Sequence, residues 1–218
     1  MRDTIASDMA KNQYHHGNLR QALIEAAADQ VVEFGADRLS LRAVARRAGV
    51  SQAAPYHHFK DKEALLAEVC RMGFEDLRTR SEASIVGLPD APAKLRALGI
   101  EYVRFARERN AFFRVMFGGY IKDKECYPEL KSSAECSFEL LTEVLMQGQR
   151  EGSLDVNFPP KDALVCWAAV HGAACLIVDG ALPEDKMEMA GIDADSMIES
   201  VVDRLQRGLA PGVGVLTS

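Results

Sequence analysis

Residues 40–59, SLRAVARRAGVSQAAPYHHF, decide how this chain is read, because they spell two short helices joined by a tight turn. Leu41, Val44, Ala45 and Ala48 recur at helical spacing, Ser40 stands where an N-cap belongs, and Gly49 supplies the left-handed residue that closes a helix. Ser51 is placed to cap the next helix. This is a helix-turn-helix pattern. Its polar face is cationic: Arg42, Arg46, Arg47, Lys60 and Lys62 stand against Asp61, with Gln52, Tyr56, His57 and His58 beside them. Guanidinium and ammonium groups suit phosphate oxygens, and amide and imidazole groups suit base edges.

The continuation, GVSQAAPYHHFKDKEALL, resembles the recognition helix and following turn of the TetR family of bacterial transcriptional repressors. That family's pattern is a Gly-Val-Ser turn, a Tyr near the end of the recognition helix, an aromatic-Phe pair and a Lys three residues on, and Tyr56, His58-Phe59 and Lys62 fill those places. The likeness is dense over residues 14–66 and thin beyond. It departs at Pro55, where the family usually carries leucine; proline at the fourth position of a helix removes one backbone hydrogen bond. The resemblance implies an all-α fold of about nine helices, with an N-terminal three-helix helix-turn-helix domain followed by a helical ligand-binding and dimerisation domain. A flexible arm over 1–13, a DNA-binding domain over 14–62 and an effector-binding and dimerisation domain over 63–218 are implied with it. By the same resemblance Tyr56 and Lys62 hold phosphates, while Gln52, Ala53 and His57 face bases. Arg42, at the start of the second helix, is a further phosphate candidate, and Gln52 and Ala53 suit an adenine edge and a thymine methyl.

Composition bears on that reading through charge. The net charge of −6 argues against nucleic acid only if it is evenly spread. Residues 1–62 carry nine Lys or Arg against seven Asp or Glu, plus four of the five histidines, whereas residues 63–218 carry seventeen against twenty-five. A weakly basic head on an acidic body is compatible with DNA binding through a small surface. The five cysteines are odd in number and lack C-x-x-C spacing, which argues against a disulfide framework or a zinc site. The N-terminus has no apolar signal core, and Ala163–Val178 is interrupted by His171, so a cytoplasmic protein without a membrane span is expected. The adjacent His57 and His58 point about 100° apart on a helix and cannot chelate one ion together, so no metal and no cofactor are expected.

Taken in order, the arm at 1–13 and YHHGN at 14–18 lead to a first helix capped by Asn18, with Leu19, Leu23, Ala27, Val31 and Phe34 as its apolar stripe and Gly35 as its end. The arm is placed to reach phosphate or the minor groove. After the helix-turn-helix, Asp61 caps a fourth helix running towards Arg80, and Leu95, Leu98, Tyr102 and Phe105 mark a fifth. AFFRVMFGG forms a short sixth, Pro128 opens a seventh, and Lys161 to Asp179, apolar nearly all round, predicts an eighth helix buried on more than one side. Asp193 to Leu209 makes a ninth.

In the eighth, Trp167, His171 and Gly172 form W-x-x-x-H-G, which resembles the WHG-type C-terminal domain attached to some TetR-family heads. Trp167 and His171 share a face, and two readings stand: a packed, hydrogen-bonded core histidine, or an effector pocket lined by Phe105, Phe112, Phe113, Phe117, Phe138, Trp167 and His171. Gly172 is suited to the close approach of another backbone.

The expected protein binds a palindromic double-stranded operator as a homodimer through its last two long helices, and a small-molecule effector releases it. Two alternatives stay open: a ligand-independent regulator, or a thiol-responsive one using Cys126 or Cys136 near Lys122 and Lys124. A helical enzyme is the remaining class. No histidine has Glu three residues before it, and no phosphate loop, nucleophile elbow or H-E-x-x-H occurs, so catalysis is not expected.

Overall fold

The computed structural model describes residues 3–182, 185, 191 and 193–209, with side chains from Leu19 onward except at residue 194. Among them are eight α-helices and no strand: α1 (Asp3–Phe34), α2 (Leu41–Arg47), α3 (Lys62–Ser84), α4 (Ala91–Glu108), α5 (Asn110–Phe117), α6 (Pro128–Glu151), α7 (Pro159–Val178) and α8 (Ala194–Gly208). The chain forms two compact units, one holding residues up to Gly73 together with Ala111–Lys131, the other Phe74–Asn110 and the residues from Ser132 on. The first of these units groups α5 with the head, where the Cys70 thiol donates to the Val115 carbonyl at 3.3 Å.

In the first unit, α1 begins at Asp3 rather than at an Asn18 cap, so the expected arm is helical from residue 3. Once a helix exists, each added residue gains one hydrogen bond for one residue fixed, and the Ala, Met, Lys and Gln of this stretch extend it readily. The side chains of His15 and His16 lie outside the described residues. Leu23, Ile24, Ala27 and Val31 of α1 are buried with Leu41, Val44 and Ala45 of α2 and Leu65, Leu66 and Val69 of α3. Phe34, expected on that stripe, is half exposed, because the chain turns away at Gly35 with φ 79°.

Two polar side chains, Gln30 and Glu68, are buried in this apolar setting. Glu68 of α3 is only 8% exposed and accepts from Arg20 at 2.6 Å and from Arg71 at 3.0 Å. Burial pushes its carboxyl up, but the Arg71 and Arg20 hydrogen bonds outweigh that and hold it below the usual carboxylate value of 4.5. The Arg20 guanidinium also lies 5.6 Å above the Phe59 ring. One ion-pair cluster thus ties α1, α3 and the residue just past the turn segment.

In the second unit, α4 packs on α7 and α8, which pack on each other. A Cβ on Gly99 would meet Val202 Cγ2 at 2.5 Å, so the absence of a side chain there sets how closely α4 and α8 approach. Arg96 of α4 pairs with Asp203 and, at 3.0 Å, with Glu199 of α8. Leu95, Leu98, Val144, Leu145, Ala163 and Cys166 build the core between α4, α6 and α7. Asp90 and Asp193 cap α4 and α8, the latter with a reciprocal Ser196 bond.

Of α7, only Ala163, Cys166, Val170, Ala173 and Ala174 are buried. Leu164 (52% exposed), Ala168, Gly172 and Leu176 (47%) form an i, i+4 row on the outside, with Val165 beside them. Among the described residues the expected burial on more than one side does not hold, and none of them outside this helix lies within 4 Å of a Cβ built on Gly172. By length and composition alone this helix is long and apolar enough to cross a membrane.

Candidate nucleic-acid interface

The interface is built on α2 and the turn after it. Ser40 Oγ accepts from the Ala43 amide at 3.2 Å, starting α2 as expected. At its end Gly49 takes φ 70°, the Val50 amide reaches back to the Ala45 carbonyl at 2.9 Å and the Gly49 amide to Arg46 at 3.2 Å. That pair of bonds is the Schellman arrangement, which needs a residue at ease in the left-handed region, and Gly49 meets the need.

The expected second helix of the motif is not an α-helix. Ala54–His57 is a single 3-10 turn, and Ser51 does not cap it. The amides of Ala54, Tyr56 and His58 bond to the carbonyls of Ser51 at 3.0 Å, Ala53 at 3.1 Å and Pro55 at 3.0 Å, each three residues back. The cause is Pro55: in an α-helix its amide would be the first to return to Ser51, and proline has none. Its ring is buried, so the turn is anchored from beneath. Asp61 Oδ1 then accepts from the Ala64 amide at 2.8 Å and starts α3.

The candidate residues are displayed on this frame. Arg42, Gln52, Ala53, Tyr56 and His57 are exposed, Tyr56 at 55%. Arg42 and Arg46 make no ion pair among the described residues. Lys62 is partly buried and donates to the Asp37 carbonyl at 3.2 Å, one of its three donors. His58 stands tilted to Phe59 with ring centroids 6.2 Å apart. Arg47 departs from the expected cationic face: it donates to Glu33 at 2.6 Å and to Asp29 at 3.5 Å, clamping α2 to α1. The Glu33 hydrogen bond holds its guanidinium charged.

The residues expected around an effector divide between the units. Phe112, Phe113 and Phe117 fall in the first, where Phe113 and Phe117 lie 5.0 Å apart. Phe105, Phe138, Trp167 and His171 fall in the second, and Phe105 is fully buried with the Arg80 guanidinium 5.9 Å from its ring. Trp167 meets His171 at 5.2 Å and Phe138 edge-on at 6.3 Å. The residue that organises them was not singled out from sequence. Trp167 Nε1 donates to the Tyr102 hydroxyl at 3.1 Å, and that hydroxyl is hydrogen-bonded with His171 Nδ1 at 2.8 Å. His171 Nε2 lies 3.4 Å from Cys175 Sγ.

Burial lowers the His171 pKa from 6.5. An unfolded chain therefore takes up a proton there before the folded one does, so this group's share of stability is present above pH 6.5 and is lost as pH falls through the folded value. Tyr102→Phe removes the oxygen shared by Trp167 and His171 and is expected to cost about 1–3 kcal/mol. Denaturant unfolding at pH 7.5 is the check, and an unchanged midpoint would mean that the relay adds nothing.

Among the described residues no three His, Cys, Asp or Glu side chains converge on a metal position. Three of the thiols are poorly disposed to ionise. Asp123 holds Cys126 up rather than Lys122 or Lys124 holding it down, while burial pushes Cys70 up to about 12 and Cys166 up to about 11.

Residues 23–69 match the family described as "Bacterial regulatory proteins, tetR family", and residues 95–205 match "Tetracyclin repressor-like, C-terminal domain". The WHG-type resemblance rests on Trp167, His171 and Gly172 alone. The chain is 27% identical over 198 residues to a probable acrEF/envCD operon repressor of Escherichia coli strain K12, covering 88% of this chain and 87% of that one. A solved structure of a protein with unknown function from Rhodococcus sp. RHA1 is 32% identical, with TM-score 0.76 and coverage of 91% and 98%. The fold is also that of the regulator PfmR from Thermus thermophilus, at 22% identity, TM-score 0.70 and coverage of 87% and 99%. A three-helix head with an N-terminal helix-turn-helix, an all-helical body and relatives that are regulators rather than enzymes together place this chain in the TetR family of DNA-binding transcriptional regulators.

Proposed function

We propose that the protein is a homodimeric repressor that grips a palindromic operator through two copies of its head and lets go when a small molecule enters its body. The observation that carries this reading is the exposed row of Arg42, Gln52, Ala53, Tyr56 and His57 held out by the Gly49 turn. Residues 14–62 are the DNA-contacting part and 63–218 the effector-binding and dimerising part, acting in the cytoplasm, where the chromosome lies. A single short recognition segment spans only a few base pairs, so the affinity of a specific repressor calls for two. Half-sites about 34 Å apart, one helical turn, are then required.

The outward row of α7 supports the dimer: Leu164, Ala168, Gly172 and Leu176 form an apolar ridge that a second α7 can cover across a two-fold axis, with α8 alongside. The name of the Escherichia coli relative favours repression over activation. The effector is a largely apolar molecule seated beside Phe138, Trp167 and His171, and it acts by binding one separation of the two heads better than the other. The raised Cys126 thiol weighs against an oxidant acting at that residue.

Selection of bound duplexes from a random pool tests the reading, and it fails if the purified protein prefers no duplex over another. On the selected operator, Lys62→Ala is expected to weaken all sequences alike and to lower the salt slope by about one, whereas Gln52→Ala relaxes preference at one base pair. Equal behaviour of the two would show that phosphate and base contacts are sorted wrongly.

A further inference from the structure

We infer that Pro55 sets which side chain of the head reads base edges: by holding Ala54–His57 in a 3-10 turn it brings the Tyr56 phenol into line with Ala53, making Tyr56 rather than His57 the base-reading partner of that row. The inference rests on the DNA-binding reading above and goes beyond it, since the resemblance gives Tyr56 only a phosphate and gives His57 a base.

The geometry comes from the hydrogen bonds. An α-helix turns about 100° per residue and a 3-10 helix about 120°. Three steps from Ala53 to Tyr56 therefore amount to about 300° in the first and to about 360° in the second, which is full alignment. Four steps to His57 leave it about 40° from Ala53 in an α-helix but about 120° away in the 3-10 turn. The backbone bonds of this segment run three residues back at Ala54, Tyr56 and His58, and a four-residue bond returns only at Phe59, to Pro55, so the second geometry applies over Ala54–His57.

Ala53, Tyr56 and His57 are all exposed while Ala54 is partly buried and Pro55 buried, so the direction set by the turn, not exposure, separates Tyr56 from His57. Pro55 acts twice: its missing amide forbids the bond to Ser51 that an α-helix needs, and its buried ring fixes the direction in which the rest of the turn points. A phenol hydroxyl both donates and accepts, so it can address an adenine or a guanine edge, and its ring can lie against a thymine methyl.

The test is random-pool selection with the full-length wild type, Tyr56→Phe, His57→Ala and Pro55→Ala, together with the salt dependence of each on the wild-type operator. Tyr56→Phe is expected to flatten preference roughly tenfold at one base pair per half-site and to leave the salt slope unchanged. His57→Ala leaves that base pair alone. Pro55→Ala, which restores the amide and admits the α-helical geometry, shifts the preferred base there. A Tyr56→Phe protein that is weaker on every sequence alike, with its base preferences unchanged, makes Tyr56 a phosphate ligand and overturns the inference. So does a Pro55→Ala protein with wild-type preference. If Pro55→Ala fails to fold by circular dichroism, the contrast between Tyr56→Phe and His57→Ala, both at exposed positions, still decides the matter. A wild type without any preference removes the DNA-binding reading itself, whereas a selective wild type with an indifferent Tyr56→Phe removes only this inference.

Discussion

Ala168→Glu is expected to yield a monomer that binds the operator roughly 10²–10⁴-fold more weakly than the wild type, because linking two modest sites multiplies affinity by about that factor and separation forfeits it. The mechanism lies at the middle of the α7 ridge. Ala168 and Gly172 are the small residues between Leu164 and Leu176, and two such helices related by a two-fold axis bring like positions together. A carboxylate there would be stripped of water opposite its own copy, two like charges in an apolar seam. Ala168 is exposed in the single chain, so the substitution leaves the protomer folded. Sedimentation and helical content measured on one sample separate loss of assembly from loss of structure, and a variant that remains a tight dimer refutes the assignment of this face.

The second large effect belongs to Glu68. Glu68→Ala is expected to lower the unfolding free energy of the head by about 2–3 kcal/mol, a little under the cost of breaking a fully enclosed ion pair, because Arg20 remains partly wet. The loss leaves Arg71 and Arg20 without the carboxylate they share and slackens the cation above Phe59. The same geometry sets the acid response. Glu68 titrates below 4.5 when folded, so its contribution is complete above the unfolded value and is lost as pH falls through the folded one. Wild type should therefore lose stability below about pH 4.5, and Glu68→Gln should show a shallower acid limb. Parallel denaturation curves at pH 7 and pH 3.5 for the two proteins would rule this out.

How much of this could be read from the residues alone depended on the reach of each interaction. Ser40, Gly49 and Asp61 were legible because caps and turns act over three to five residues, and each holds its expected place. Arg20 with Glu68, 48 residues apart, and Tyr102 with His171, 69 apart, were not, since nothing local in a sequence marks two distant polar groups as partners. The aromatics gathered for an effector site belong to two compact units, which a count of phenylalanines does not reveal. Pro55 was conspicuous, but its consequence was only half visible: the lost hydrogen bond follows from chemistry, whereas conversion of the whole segment to a three-residue repeat needed the buried seat beneath the ring. The outward row on α7 had a similar ambiguity, because an all-apolar helix looks the same whether its second face meets its own chain or another.

Arg47 bears on how such a head can diverge. Its guanidinium is committed to Asp29 and Glu33, so replacing it strands two carboxylates, and change at any one of the three is worth little without change at the others. Gln52, Ala53 and Tyr56 carry no such obligation. Descendants drifting toward new operators have room at those three positions, while the clasp between the first two helices is inherited as a block.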